Sequence, residues 1–165
     1  MLRMLILTGP PAAGKNTIAV EYVNLSNQCA VVDVDMVRWM LVKPHVAPWG
    51  GEEGQKQHRL GVKNACALAR NFSEAGFNVL ILDVVSEDLA QVYRQSLAFA
   101  DPKIVRLLPN HEEVIMRNLR RKGKVLKEGE IEFLYRTQLE LRSFDHSIDN
   151  TSIPAEKVAA DLLAL

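Results

Sequence analysis

Short apolar runs alternate with longer stretches of mixed polarity along this chain. The apolar runs are rich in Val, Ile and Leu and have the length of buried strands, whereas the mixed stretches have the length and spacing of helices. The pattern predicts strands over residues 4–8, 30–34, 78–83, 103–108 and, more weakly, 146–148. It predicts helices over residues 15–26, 53–75, 87–99, 111–121, 128–143 and 154–163. This alternation is typical of an α/β fold of three layers, in which helices cover both faces of a five-stranded parallel sheet.

Two stretches lack a regular pattern. Residues 43–51 contain two prolines and two glycines, and residues 122–127 are basic and contain Gly123. In an open parallel sheet, ligands bind beyond the carboxyl ends of the strands. We therefore expect functional side chains in the segments that directly follow the predicted strands.

A glycine-rich loop joins the first predicted strand to the first predicted helix. Residues 9–17 have the sequence GPPAAGKNT, which contains the phosphate-loop spacing Gly-x-x-x-x-Gly-Lys. Glycines at both ends let the backbone turn its N–H groups toward phosphates, Lys15 brings a positive charge, and the helix adds its dipole. The order of strand, loop and helix favours this interpretation over a simple turn. The predicted nucleotide-binding residues of the loop are Gly9, Pro10, Pro11, Ala12, Ala13, Gly14, Lys15, Asn16 and Thr17.

Two residues are candidate ligands for Mg²⁺. Asn16 stands where such loops usually carry Ser or Thr, and its carbonyl is also a hard oxygen that binds the metal directly or through water. Asp83 ends the third predicted strand, where a carboxylate commonly holds the metal. The alternative for Asp83 is a buried aspartate that forms a turn. Val84 follows in place of the Glu that polarises water in many hydrolases, which argues against a dedicated ATPase.

Asp35 and Arg38 follow the second predicted strand. At this position, the Asp35 carboxylate would face the phosphate loop and accept the proton of an attacking hydroxyl. Arg38 lies one helical turn further and would reach an anionic substrate or the transferred phosphoryl group. The alternative is that Asp35 only caps the helix that follows. We expect Asp33 to be the structural member of the pair.

Basic residues crowd the end of the predicted helix over residues 111–121 and the loop after it. Arginines above the phosphates stabilise the charge of a phosphoryl-transfer transition state, and a mobile segment excludes water. Arg117 and Arg121 are the preferred pair because they lie four residues apart. The alternative is a solvated charged surface, and Arg136 either points back to the site or pairs with Glu132. The basic residues are Arg117, Arg120, Arg121, Lys122 and Lys124.

Composition narrows the classes of function. The chain of 165 residues has the length of one domain, and its 20 basic residues balance its 20 acidic ones. This balance offers no global attraction for nucleic acid or membranes. Cys29 and Cys66 have the surroundings of small core residues rather than of a disulfide. With no leader or membrane span in the sequence, we expect a cytoplasmic protein that does not bind membranes.

The order of these motifs resembles the small P-loop kinases grouped with chloramphenicol phosphotransferase, zeta toxins and the kinase domain of phage polynucleotide kinases. The resemblance covers nearly the whole chain. It rests on the phosphate loop and on the segments at residues 35–38, 83, 105–109, 117–121 and 148–151.

The resemblance implies a P-loop fold that uses ATP and Mg²⁺, with Asp35 as base and a lid at about residues 117–128. The expected function is phosphoryl transfer from ATP to a hydroxyl of a small molecule. Kinases of polynucleotide 5′-hydroxyls or of nucleotides are an alternative, with nucleic acid less favoured, and an ATP-binding module without turnover is another. The acceptor and the oligomeric state stay open.

Overall fold

The computed structural model describes residues 2–123 and 125–165. Its strands are β1 (Met4–Thr8), β2 (Cys29–Asp33), β3 (Asn78–Asp83), β4 (Lys103–Leu107) and β5 (His146–Ile148). Its helices are α1 (Lys15–Leu25), α2 (Val34–Trp39), α3 (Gly51–Glu74), α4 (Glu87–Ser96), α5 (His111–Leu119), α6 (Glu128–Glu140) and α7 (Ala155–Leu163).

The five strands form one parallel sheet in the order β2-β3-β1-β4-β5. The central strand β1 is buried along its whole length. Its side chains alternate between two cores, because successive residues of a strand point to opposite faces of the sheet. Ile6 packs in the core that includes α3 and α4, and Leu5 and Leu7 pack in the core that includes α1 and α7. The predicted α/β fold of three layers is therefore confirmed.

Several element ends differ from the prediction, and at two of them a side chain binds the backbone. The second strand ends one residue early because the Asp33 side chain starts α2 there. α6 ends at Glu140 rather than at residue 143, where the Glu87 carboxylate instead accepts hydrogen bonds from the backbone N–H groups of Arg142 and Ser143. α3 begins at Gly51, two residues earlier than predicted.

Neither cysteine forms a disulfide. Cys66 is buried and Cys29 is half-buried, and both are free thiols. Burial raises the pKa of the Cys66 thiol to about 11, which keeps it protonated and unreactive. Within the described residues, no helix is both long and apolar enough to cross a membrane.

The long helix α3 depends on a glycine for its packing. Gly54 is buried, and a Cβ at this position would overlap the backbone carbonyl of Ala47. Because a backbone oxygen cannot rotate away as a side chain can, the helix and the segment before it would have to separate. Gly54 thus fixes how closely the segment between α2 and α3 lies against α3.

Gly54→Ala is predicted to destabilise the protein by about 1–3 kcal/mol, the usual cost of overpacking. The matched control is Gly129→Ala in α6, where a Cβ would meet nothing within 4 Å. That change should be neutral or stabilise by about 0.5–1 kcal/mol, because alanine favours a helix over glycine. Urea denaturation of both variants measures the difference. Equal free energies of unfolding would contradict the close contact at Gly54.

Candidate active site

The carboxyl ends of β1, β2 and β3 meet at one edge of the sheet. β1 leads from Thr8 into the glycine-rich loop, while β2 ends at Asp33 and β3 at Asp83. The register pairs Thr8 with Asp83 and Asp33 with Leu82. The sheet therefore sets the predicted acidic residues around the loop.

The loop has a backbone form suited to anions. Ala12 and Gly14 have positive φ angles of 63° and 95°, and such left-handed turns make concave groups of N–H donors. Gly14 is also the N-cap of α1, and no side chain caps that helix. The first N–H groups of α1 are therefore free to bind an anion, which the helix dipole favours. Gly9 is required for packing, since a Cβ there would lie 2.7 Å from the carbonyl oxygen of Leu107.

Lys15 begins α1 and folds back onto the loop. Its ammonium group donates hydrogen bonds to the carbonyl oxygens of Gly9 at 2.7 Å and Pro10 at 3.1 Å. Burial lowers its pKa to about 8, and nearby carboxylates oppose this fall, with Asp35 contributing most among them. The Asp35 carboxylate is thus the one whose charge favours the protonated form of Lys15 most.

Asp33 caps α2, and Asp35 does not. The Asp33 side chain accepts a hydrogen bond from the Asp35 backbone N–H at 2.9 Å, and burial raises the pKa of its carboxyl. Asp35 lies in the first turn of α2 with its side chain 74% exposed. The interpretation of Asp35 as the helix cap is wrong, and that of Asp33 as the structural member of the pair is confirmed. Asp35 keeps an exposed carboxylate that a substrate can reach.

Arg38 is buried, and both terminal nitrogens of its guanidinium group, Nη1 and Nη2, donate hydrogen bonds. It donates to the Asp35 carboxylate at 3.3 Å and to the carbonyl oxygen of Val46 at 2.8 Å. Its Nε is buried with no partner among the described residues. The side chain crosses α3 at Gly61, where a Cβ would overlap Arg38 Cγ. Arg38 therefore joins α2, α3 and the segment between them beside the candidate base.

Asp83 is buried and both of its carboxylate oxygens already bind protein donors. Oδ1 accepts from His58 Nε2 at 2.8 Å and from the Val84 backbone N–H at 2.7 Å, and Oδ2 accepts from the Tyr93 hydroxyl at 2.8 Å. Burial alone would raise the pKa of Asp83, but the His58 and Tyr93 contacts hold it below its ordinary value. Of the about four acceptor positions of this carboxylate, the described donors take three, which favours contact with a metal through water over a direct bond.

The Asp33 carboxylate shares a largely apolar cavity with the first turn of α1. Asn16 and Thr17 are exposed in the first turn of α1, and Asn16 lines the same cavity as Asp33. No group of three His, Cys, Asp or Glu side chains suited to a metal occurs in the described residues. A cation in this cavity would therefore need oxygens from a bound phosphate as well, as Mg²⁺ usually does in kinases.

Arg117 is hydrogen-bonded to the glycine-rich loop, whereas Arg121 is exposed to solvent. Arg117 in α5 donates to Glu113 at 2.7 Å and to the carbonyl oxygens of Ala13 at 3.4 Å and Asn150 at 2.9 Å. Its guanidinium group thus ties α5 to the loop and to the segment after β5. Arg121 is exposed just beyond α5, and its positive charge contributes to the low pKa of Lys15.

The segment between α5 and α6 is held at its base by a buried asparagine. The Asn118 amide donates to the carbonyl oxygen of Leu126 at 3.1 Å and accepts from its N–H at 3.2 Å. Arg120 and Lys122 are exposed, and the predicted lid residue Lys124 lies outside the described residues. Arg136 is 68% exposed and lies 3.9 Å from Glu132.

Sequence analysis did not identify the contacts that Asp83 and Trp39 make at this end of the sheet. His58 and Tyr93 contact Asp83 from helices 25 and 10 residues away, and no local pattern could identify them. Trp39 is 63% exposed and stacks on His45 with ring centroids 3.9 Å apart, whereas Trp49, the tryptophan of the irregular stretch over residues 43–51, is half-buried. Trp39 sits one helical turn after Asp35, a spacing that could have identified it.

No protein-family model matches this sequence, and no curated protein matches it either. Solved structures do resemble the fold. A sugar kinase from Janibacter sp. HTCC2649 aligns with a TM-score of 0.74 and 15% identity, over 99% of this chain and 94% of that chain. The tunicamycin resistance protein of Deinococcus radiodurans aligns with a TM-score of 0.72 and 17% identity, over 99% and 95%.

A shikimate kinase from Bacteroides thetaiotaomicron aligns over 100% of both chains with a TM-score of 0.68 and 15% identity. At such identities, the likeness establishes the fold of P-loop kinases for this chain. Function has to be argued from the residues of the site.

The assignment of the helix cap to Asp33 rather than to Asp35 can be tested by measuring the stability of two variants. Asp33→Ala should lower the free energy of unfolding by about 1 kcal/mol, the usual loss when a helix cap is removed. Asp35→Ala, its matched control two residues away, should change stability by less than about 0.5 kcal/mol because its side chain is exposed. Chemical denaturation measures both. The reverse order would contradict the capping role of Asp33.

Proposed function

We propose that this protein is an ATP-dependent kinase that transfers the γ-phosphoryl group to a hydroxyl of a small molecule. The observation that carries the proposal is a glycine-rich loop whose Lys15 is bound to the loop carbonyls, together with the exposed Asp35 carboxylate in the first turn of α2, after β2 at the same edge of the sheet. A cation for phosphates and an exposed carboxylate for a hydroxyl are the two groups that such a reaction needs close together. A binding module without turnover would need only the loop.

In the proposed reaction, the acceptor oxygen forms a bond to the γ-phosphorus while the bond from that phosphorus to the bridging oxygen of ADP breaks. ADP leaves with the electron pair, and the Asp35 carboxylate takes the hydroxyl proton. Arg121 stabilises the charge of the transferred group from the lid over residues 117–128, and Arg38 orients an anionic acceptor or that group. Arg117 holds the nucleotide end of the site, given its bonds to Ala13 and Asn150.

The loop residues 9–17 would hold the phosphates of ATP through backbone N–H groups and Lys15. The uncapped start of α1 fits that role. Asn16 would bind Mg²⁺, and Asp33 in the same cavity would orient a water of that ion, with Asp83 acting at most through water. When bound, Mg²⁺ supplies charge neutralisation at the phosphate oxygens.

The acceptor class is proposed from the balanced net charge of the sequence and from the fold. The overall charge is zero, so a nucleic-acid strand is less favoured than a small hydroxylated molecule. Two similar structures are named for kinases of a sugar and of shikimate, which are small molecules with hydroxyl groups. Membership of the chloramphenicol phosphotransferase group rests on the motif order alone and is part of the proposal.

The proposal is tested by following ADP production with a panel of acceptors. The panel contains sugars, cyclitols, hydroxylated antibiotics, nucleosides and 5′-hydroxyl oligonucleotides, each with MgATP. Transfer to a small molecule supports the proposal, and transfer to oligonucleotides alone favours the polynucleotide kinase alternative. ATP binding without transfer to any acceptor would favour a binding module.

Lys15→Ala is predicted to abolish phosphoryl transfer and weaken ATP binding while the thermal melt stays close to that of the wild type. Among the described residues, the ammonium group donates hydrogen bonds only to loop carbonyls, so the core does not depend on it. Lys63→Ala, which removes an exposed lysine from α3, is the control and should bind ATP normally. Normal turnover in Lys15→Ala would contradict the phosphate-loop assignment.

Asp35→Asn is predicted to lower kcat by ~10²-fold or more, the scale of general-base catalysis, with the Kd for ATP nearly unchanged. Stability should not change, because Asp33 provides the helix cap. Steady-state kinetics and a thermal melt measure both effects. A fully active variant would remove Asp35 from the mechanism and leave positioning of the substrates as the source of catalysis.

A further inference from the structure

The side of α2 that faces solvent is apolar apart from one carboxylate. Among the described residues, the four most exposed large hydrophobic side chains all lie on α2 or directly after it, and each is 63% to 82% exposed. They are Met36, Trp39, Met40 and Val42. A surface helix usually turns polar side chains to water, and clustered exposed apolar side chains usually mark a binding site. The apolar surface of residues 36–42 therefore has the character of a binding surface.

The Trp39 indole has one covered face and one open face. His45 stacks on the covered face, with ring centroids 3.9 Å apart and planes 9° from parallel. The exposure of Trp39, 63%, leaves the other face open to solvent.

The stack is held by hydrogen bonds on both sides of His45. The Nδ1 atom of His45 donates to the carbonyl oxygen of Leu41 at 3.2 Å. The backbone of the next residue, Val46, accepts from Arg38 and donates to Gln57, each at 2.8 Å. The indole is therefore fixed before a ligand arrives, which lowers the entropy cost of binding to it.

The open indole face is continuous with the candidate base. Asp35 and Trp39 are exposed and four residues apart in α2, so their Cβ atoms are neighbours on one face of the helix, about 5–6 Å apart. One substituted six-membered ring spans that distance. An apolar lining with one placed polar group is the usual form of a small-molecule site. Four apolar side chains are few for a protein interface, which takes about 20–30 residues a side.

We propose that the open face of the Trp39 indole binds an apolar ring face of the acceptor while the hydroxyl of that acceptor meets Asp35. The inference rests on the proposed kinase function and adds an acceptor class, a molecule whose reactive hydroxyl lies on or beside a ring with an apolar face. Aromatic rings and the C–H faces of sugars and cyclitols share this chemistry. Trp39 is then a residue that determines acceptor specificity.

Two substitutions at Trp39 and one control elsewhere test this role. Trp39→Phe retains a flat ring and Trp39→Ala removes it, and both should melt near the wild-type temperature because the side chain is exposed. The matched control is Phe72→Ala, which removes a partly exposed aromatic ring from the end of α3. α3 ends shortly before β3 begins, so Phe72 lies at the edge of the sheet opposite to the site.

The first measurement is the KM for the acceptor that the panel identifies, with glycerol added to the panel as an alcohol without a ring. Trp39→Ala should raise this KM about 10-fold, the scale of one stacked aromatic contact, with kcat and the KM for ATP unchanged. Trp39→Phe should raise it less, and Phe72→Ala should leave it unchanged. The aryl and sugar members of the panel show which kind of ring binds. An unchanged KM in Trp39→Ala would overturn the inference, as would glycerol phosphorylated as efficiently as any ring compound.

The second measurement follows binding without turnover. Trp39 and Trp49 are the two tryptophans of the chain, and acrylamide should quench the fluorescence of the exposed Trp39. The same acceptor, added without ATP, should protect this fluorescence in the wild type. It should give no protection in Trp39→Phe, where Trp49 is the remaining tryptophan. Equal protection in both proteins would overturn the inference.

Sedimentation of the wild type and of Trp39→Ala separates an acceptor from a second copy of the chain on this surface. Two proteins with the same oligomeric state support the inference, whereas a wild-type dimer that Trp39→Ala dissociates would overturn it. Wild-type protein that phosphorylates nothing in the panel would overturn the proposed function and this inference together. An active wild type with an unaffected Trp39→Ala would overturn this inference alone.

Discussion

The buried carboxylate of Asp83 is the constraint on which the organisation of the site depends. A carboxylate removed from water must be paired and hydrogen-bonded, or it destabilises the fold by several kcal/mol. His58 of α3, Tyr93 of α4 and the Val84 backbone supply its donors. These bonds fix two helices against the end of β3. Because α2 packs on α3 through Arg38 and Gly61, the position of Asp35 follows from the same constraint.

Lys15, the buried positive charge of the site, has weaker hydrogen-bond partners than Asp83 has. Within the part of the chain that the structure describes, Lys15 donates to two loop carbonyls and to no carboxylate. Burial costs its ammonium group enough solvation to bring its pKa to about 8. A phosphate would replace those carbonyls with full negative charges, which are stronger acceptors. The first N–H groups of α1 likewise lack a side-chain acceptor, because the N-cap of this helix is Gly14. The loop is thus held in a form whose unused donors a phosphate would satisfy, while Asp83 is already satisfied and contributes rigidity.

The sequence predicted those features of the fold and site that local patterns encode. The bounds of β1 and β3 follow from their apolar runs, and the phosphate loop follows from glycines and a lysine at fixed spacing. The partners of Asp83 could not be predicted, because His58 and Tyr93 are ordinary residues of amphipathic helices until the fold brings them to β3. The anchoring of Arg117 depends on Asn150, which is 33 residues away. Only these long-range hydrogen bonds show that the Arg117 guanidinium group is held by the protein, whereas that of Arg121 is exposed to solvent.

Two buried amide side chains anchor the helices on either side of the segment that holds Arg121. On the α6 side, the buried Gln138 accepts from the Thr8 hydroxyl at 3.1 Å and donates to the carbonyl oxygen of Val85 at 2.9 Å, which fixes the helix to the base of the phosphate loop. On the α5 side, the Asn118 amide holds the backbone of Leu126. Arg121 lies between these anchors and is exposed. Movement of its guanidinium group toward a phosphate therefore requires only local rearrangement beyond α5, since the helices on both sides are already bound to the site.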